Sequence, residues 1–95
     1  MSIEHEIDGL IQKSGANYRE WYVGVAINPR ERLFTGHNVS EKSGTWIFKD
    51  TGSETAAREI EASFLKKGCK GGSMQKDSSR HVYAYKITRT TWGRS

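Results

Sequence analysis

The apolar residues of this chain repeat with two periods, and the change from one to the other divides it into elements. Near the N-terminus Ile3, Ile7, Leu10 and Ile11 fall at i, i+4, i+7 and i+8. That is one face of an amphipathic helix over residues 2–13. Glu4, Glu6 and Asp8 lie in its early turns, where the helix dipole favours negative charge. Residues 14–17, SGAN, stop it. Residues 21–27, WYVGVAI, are dense in β-branched and aromatic side chains and predict a largely buried strand. Gly24 interrupts this run, as glycine does at a bulge or where another backbone or a ligand approaches closely. Asn28 offers a helix N-cap, and Pro29 a first helical residue whose missing N–H costs nothing. A short helix over residues 30–35, ended by Gly36, is the expectation.

Residues 39–44 read as a polar loop and residues 45–49, TWIFK, as a second strand. A turn over residues 50–53 leads to Ser53 as N-cap of a helix over residues 54–67. Ala57, Ile60 and Phe64 form its buried stripe, with Glu61 at the border. Lys66 and Lys67 suit its C-terminal end, and Gly68 its stop. Residues 68–80, rich in Gly, Ser and basic side chains, read as a mobile basic loop. No Gly-Lys-Ser/Thr ending makes it a P-loop. Residues 81–88, HVYAYKIT, alternate as a strand, with Tyr83, Tyr85 and Ile87 on one face and Val82, Ala84 and Lys86 on the other. Residues 89–95 form a polar tail carrying Trp92. The predicted fold class is α+β, one domain over residues 1–95, with a small three-stranded antiparallel sheet and helices packed against it.

Composition narrows the setting. Ninety-five residues allow one compact core. No apolar run approaches the ~20 residues that cross a bilayer, and the acidic N-terminus has no signal-peptide pattern. A single cysteine, Cys69, excludes an intramolecular disulfide and suggests a reducing cytoplasm, so the expected localisation is cytoplasmic. His5 and His81 have no partner at metal-ligand spacing, which argues against zinc. Cys69 and His37 are a formal nucleophile–base pair with no local support. The net charge of +4 is unevenly spread. Residues 1–65 carry seven Lys/Arg against ten Asp/Glu, whereas residues 66–95 carry eight against one. Lys66, Lys67, Lys70, Lys76 and Arg80 are therefore candidate contacts to an anionic partner such as nucleic acid. The plainer reading is a basic tail that aids solubility.

Two motifs give the charge a chemistry. Tyr22-Val23-Gly24, with Arg32 ten residues after Tyr22, resembles the strand and arginine-bearing helix of GIY-YIG nuclease domains. The run from Ala57 to Glu61 is similar to that family's helix, in which an Ala precedes the metal-binding Glu by four residues. The family's first strand, Gly-Ile-Tyr, has no clear counterpart: Gly9-Leu10-Ile11 lacks the tyrosine and belongs to a helical pattern. Residues 84–88 resemble the run that carries the missing tyrosine, so the last strand is expected to take the first strand's place beside Tyr22, with Tyr83 or Tyr85 as the replacement. No Asn follows Asn38, although the family often has one after the Glu helix.

What the resemblance implies is metal-dependent hydrolysis of phosphodiester bonds in DNA. Glu61 is then the ligand of Mg²⁺ or Mn²⁺, and Arg32 the phosphate contact. Tyr22 or Tyr85 orients or deprotonates the attacking water, and His37 shuttles a proton. The alternative is a catalytically inactive module on the same fold that binds nucleic acid or a protein. A protein partner or a homodimer is compatible with either reading.

Overall fold

The computed structural model describes residues 2–15, 17–42, 44–71, 79–88 and 91. Helix α1 (Ile3–Ser14) starts at Ser2, whose side chain accepts from the His5 N–H, and ends at Gly15. A 3₁₀ turn at Tyr18–Glu20 leads into strand β1 (Trp21–Val25). Asn28 caps the short helix α2 (Pro29–Glu31), its side chain accepting from the Glu31 N–H, with Pro29 in the first turn. The chain does not continue as a regular helix. Residues Arg32–Gly36 widen to a π-type turn, closed by the His37 N–H donating to the Arg32 carbonyl at 2.9 Å. The helical turns end at Gly36, as expected, and the left-handed residue that then turns the chain is Asn38, at φ 56°.

Strand β2 (Trp46–Asp50) is followed by helix α3 (Glu54–Lys67), capped by the Ser53 side chain and stopped by Gly68. Strand β3 is the two-residue segment Lys70–Gly71, and strand β4 spans His81–Lys86. The sheet order is β2-β4-β1-β3. The pairs β2–β4 and β4–β1 are antiparallel, and β1–β3 is parallel. The expected three-stranded antiparallel sheet is thus corrected to a four-stranded mixed one. The added strand needs only a backbone that runs along β1, so it leaves no hydrophobic alternation in the sequence.

Period two puts alternate residues on opposite faces, and each face has its own core. Helices α1 and α3 cover one face, where Ile7, Ile11 and Phe64 pack against Trp21, Val23, Val82 and Ala84. The other face carries Tyr22, Tyr83 and Tyr85 and is closed by Ala26, Leu33 and Val39 from the segment after β1. Phe34, Trp46, Phe48 and Ile87 pack half-exposed around this second core. Among the described residues, no helix is long and apolar enough to cross a membrane.

Candidate active site

The second core is built by register. β1 and β4 pair Tyr22 with Tyr85 and Gly24 with Tyr83. The last strand therefore lies directly beside Tyr22. Gly24 is not a bulge: the Tyr83 ring lies over it, and a Cβ built there would stand 2.6 Å from the Tyr83 hydroxyl. The close approach expected of this glycine comes from a side chain rather than from a backbone or ligand.

His37 enters from the loop after the π-type turn and is fully enclosed. Its Nε2 lies 2.9 Å from the Tyr83 hydroxyl and its Nδ1 3.0 Å from the Tyr85 hydroxyl. A neutral imidazole has one donor and one acceptor nitrogen, so one tyrosine accepts from it and the other donates to it. The Tyr22 ring centroid is 4.5 Å from that of His37 and 5.3 Å from that of Tyr85. Tyr22, His37 and Tyr85 are thus brought together, but in the interior, at 3%, 0% and 0% exposure.

Tyr83 belongs to the same buried cluster, at 2% exposure. Burial pushes its hydroxyl far above the usual phenol range. Tyr22 adds to this, the Arg32 charge opposes it, and Tyr85 and Glu61 add again. Burial also raises Tyr85, with Tyr22 as the second cause. Tyr83, which the sequence offered only as an alternative to Tyr85, is the better-placed tyrosine. Register, which the sequence pattern does not carry, sets Tyr83 opposite Gly24.

Arg32 lies in the wall of an open cleft of ≈ 340 Å³. Asn28, Glu31, Thr35 and Gly36 share that wall, with Ala26 and Ile27 at the end of β1. The Gly36 position lies against the Arg32 stem, where a Cβ would come 3.1 Å from Cδ. Glu61 is half-buried on α3, and desolvation raises its carboxyl above the ordinary value, with Arg58 opposing. That Arg58 contact is loose, at 3.7 Å. A carboxylate partly stripped of water gains from a cation, and one carboxylate suffices for Mg²⁺ or Mn²⁺ that keeps most of its waters. Glu61 is a single carboxylate, and no group of three His, Cys, Asp or Glu forms among the described residues.

The predicted basic grip is split up. Lys67 is tied to α1, 3.4 Å from Asp8 and 3.7 Å from Glu4, with its ammonium over the Phe64 ring. Arg80 pairs with Asp50 at 3.0 Å. Lys66 is exposed at the end of α3, and Lys70 is exposed on the edge strand β3. Lys76 lies outside the described residues, as does Trp92. The ends of the expected mobile loop are ordered parts of the fold. Cys69 is buried, and Ser79 donates to the Ala26 carbonyl at 2.6 Å. Burial pushes the Cys69 thiol up to about 11, and it packs on the face opposite His37, so these two are not a nucleophile and its base.

No protein-family model matches this chain, and no curated protein or solved structure is significantly similar to it.

Proposed function

We propose that this chain is a diverged GIY-YIG-type domain that hydrolyses phosphodiester bonds in DNA with a divalent metal, in the cytoplasm. One observation carries the reading: Tyr22 stands opposite Tyr85 and the Tyr83 ring lies over Gly24, with His37 hydrogen-bonded to both β4 hydroxyls. The pairing of β4 with β1 supports the last strand as the substitute for the family's first strand.

Arg32 would hold the scissile phosphate from the cleft wall, because its guanidinium is a fixed, always-charged fork of donors. Glu61 would hold Mg²⁺ or Mn²⁺, which when bound supplies positive charge for the phosphate and lowers the pKa of a coordinated water. Tyr83, kept neutral by burial, would orient that water through its hydroxyl rather than deprotonate it. His37 and Tyr85 would fix the Tyr83 hydroxyl from behind. Tyr22 would wall the site with its ring.

The test is nicking of supercoiled plasmid with Mg²⁺ or Mn²⁺ and with chelator. Metal-dependent nicking should fall about a hundredfold or more in Arg32→Ala, in Glu61→Gln and in Tyr83→Phe. Nicking that persists in all three variants would overturn the assignment. The second reading, a binding module without chemistry, is favoured by one observation: both ring nitrogens of His37 are engaged by tyrosine hydroxyls inside the core. That reading predicts nucleic-acid or protein binding that survives chelator and Glu61→Gln.

A further inference from the structure

The sheet has an edge at β3 and an edge at β2, and the two are finished differently. Strand β3 is two residues long, with Lys70 and Gly71 both exposed, and so short and charged an edge discourages further strands. Strand β2 has five residues, no proline, and an unbroken register with β4. Its lysine, Lys49, is drawn to Glu6 of α1 at 3.2 Å, so that charge is answered within the chain. The ends of β2 fix which way its backbone points. The Lys86 N–H donates to the Thr45 carbonyl at 2.9 Å, and the Thr51 N–H to the Arg80 carbonyl at 2.7 Å. Odd-numbered residues of β2 therefore bond β4, and Trp46, Phe48 and Asp50 turn their backbone N–H and C=O groups outward. Among the described residues, these backbone groups have no hydrogen-bond partner.

We propose that β2 pairs antiparallel with β2 of a second copy of this chain, about a two-fold axis at Phe48. Phe48 then faces Phe48 of the copy, and Trp46 faces its Asp50 on either side of the axis. Every outward residue is used, and opposed pairs of this kind exchange both bonds, giving about six backbone hydrogen bonds. Charge and length select this register. A slide that sets Asp50 against Asp50 opposes two carboxylates and leaves Trp46 unpaired. A slide that sets Trp46 against Trp46 leaves Asp50 unpaired. In the chosen register Ile47 lies opposite Lys49 of the copy, and each Lys49 keeps its Glu6. Arg80, held to Asp50 at 3.0 Å, accompanies that carboxylate and brings a cation towards Trp46 of the copy. The axis is perpendicular to the sheet, so the Tyr22, Tyr83 and Tyr85 faces of both copies look the same way. The contact is short, which implies a dimer of micromolar affinity or weaker. This inference stands apart from the phosphodiesterase reading.

Sedimentation equilibrium of the full chain from about 1 μM to 1 mM should show monomer passing to dimer and no further, because the β3 edge is blunted. Phe48→Lys and Phe48→Glu each set like charges opposite one another across the axis, and each should weaken the dimer about tenfold or more. An equimolar mixture of the two should regain it. Near-UV circular dichroism checks that both variants fold. A second readout needs no variant. Amide exchange followed by NMR should slow about tenfold or more at Trp46, Phe48 and Asp50 between dilute and concentrated protein, and more than at Ile47 and Lys49, which already bond β4. A chain that stays monomeric throughout would overturn the proposal. So would a dimer in which those three amides exchange at the dilute rate, because the contact would then lie elsewhere. A dimer equally strong in wild type and in both folded variants would overturn it as well.

Discussion

Two residues show how stability and site geometry depend on single atoms here. Gly24 is glycine because the Tyr83 ring occupies the space of its Cβ. Gly24→Ala should therefore cost about 1–3 kcal/mol of stability through overpacking and push Tyr83 off His37. Urea unfolding of the variant measures the cost, and unchanged stability would mean that the ring moves aside freely. Glu61 makes the opposite kind of prediction. Burial raises its folded-state pKa, so the folded protein favours the neutral carboxyl. The contribution of such a group is fully present below the unfolded value near 4.5 and is lost as pH rises through the folded value. Glu61→Gln should then melt at a higher temperature than wild type at pH 7, with the gap closing towards pH 4. Mg²⁺ or Mn²⁺ should stabilise the wild type but not the variant, because a ligand that binds only the folded carboxylate raises its stability. Thermal melts at two pH values, with and without metal, check both signs. A wild type that gains nothing from metal would remove Glu61 as its ligand.

At the scale of elements, the caps are small parts with long reach. The Asn28 side chain accepts from the Glu31 N–H at 3.2 Å and starts the turn that aims Arg32 into the cleft. The Asn28→Ala change should cost about 1 kcal/mol, the usual value of an N-cap, and reduce nicking as Arg32 loses its anchor. The Ser53→Ala change removes the cap of α3, where Ser53 accepts from the Ala56 N–H at 3.1 Å. It should cost a similar amount while affecting nicking less, since the remaining turns of α3 still fix Glu61. Urea melts paired with nicking rates separate the two, and equal effects on rate would deny Asn28 its aiming role. These caps were legible in the sequence because Asn-Pro and Ser-x-x start helices by local chemistry. The two long helices were legible because each buries one face and so writes its period into the chain, and β1 and β4, buried on both faces, through their density of β-branched and aromatic residues. The π-type turn was not, since the wider hydrogen bond to Arg32 is a detail of backbone closure without a residue signature. Nor was β3, a two-residue strand containing Gly71. For the site, alternation put Tyr83 and Tyr85 on one face, but the choice between them needed register. A slide of two residues would set Tyr85 opposite Gly24 without changing the pattern.

At the scale of the whole molecule, the last strand in sequence is an inner strand of the sheet. β4 lies between β2 and β1, and neither of those pairs with the other. It also serves both layers: Val82 and Ala84 complete the core under α1 and α3, and Tyr83 and Tyr85 complete the core around His37. The part of the chain before β4 holds helices α1, α2 and α3 and strands β1, β2 and β3, yet without β4 it has two unfinished cores. A chain ending at residue 80 should therefore retain helix-forming tendency but lose cooperative folding. Two apolar faces would be left in water, and β1 would keep only its short pairing with β3. Far- and near-UV circular dichroism with urea titration tests this, with helical signal but no cooperative transition as the expected result. Adding residues 81–95 as a separate peptide should restore near-UV signal from the tyrosines at high peptide concentration, because strand completion then becomes a binding step. A truncated chain that unfolds cooperatively would show that the helical layer is a domain by itself. It would also make the Tyr83–His37–Tyr85 cluster an addition to the fold rather than part of what holds it together.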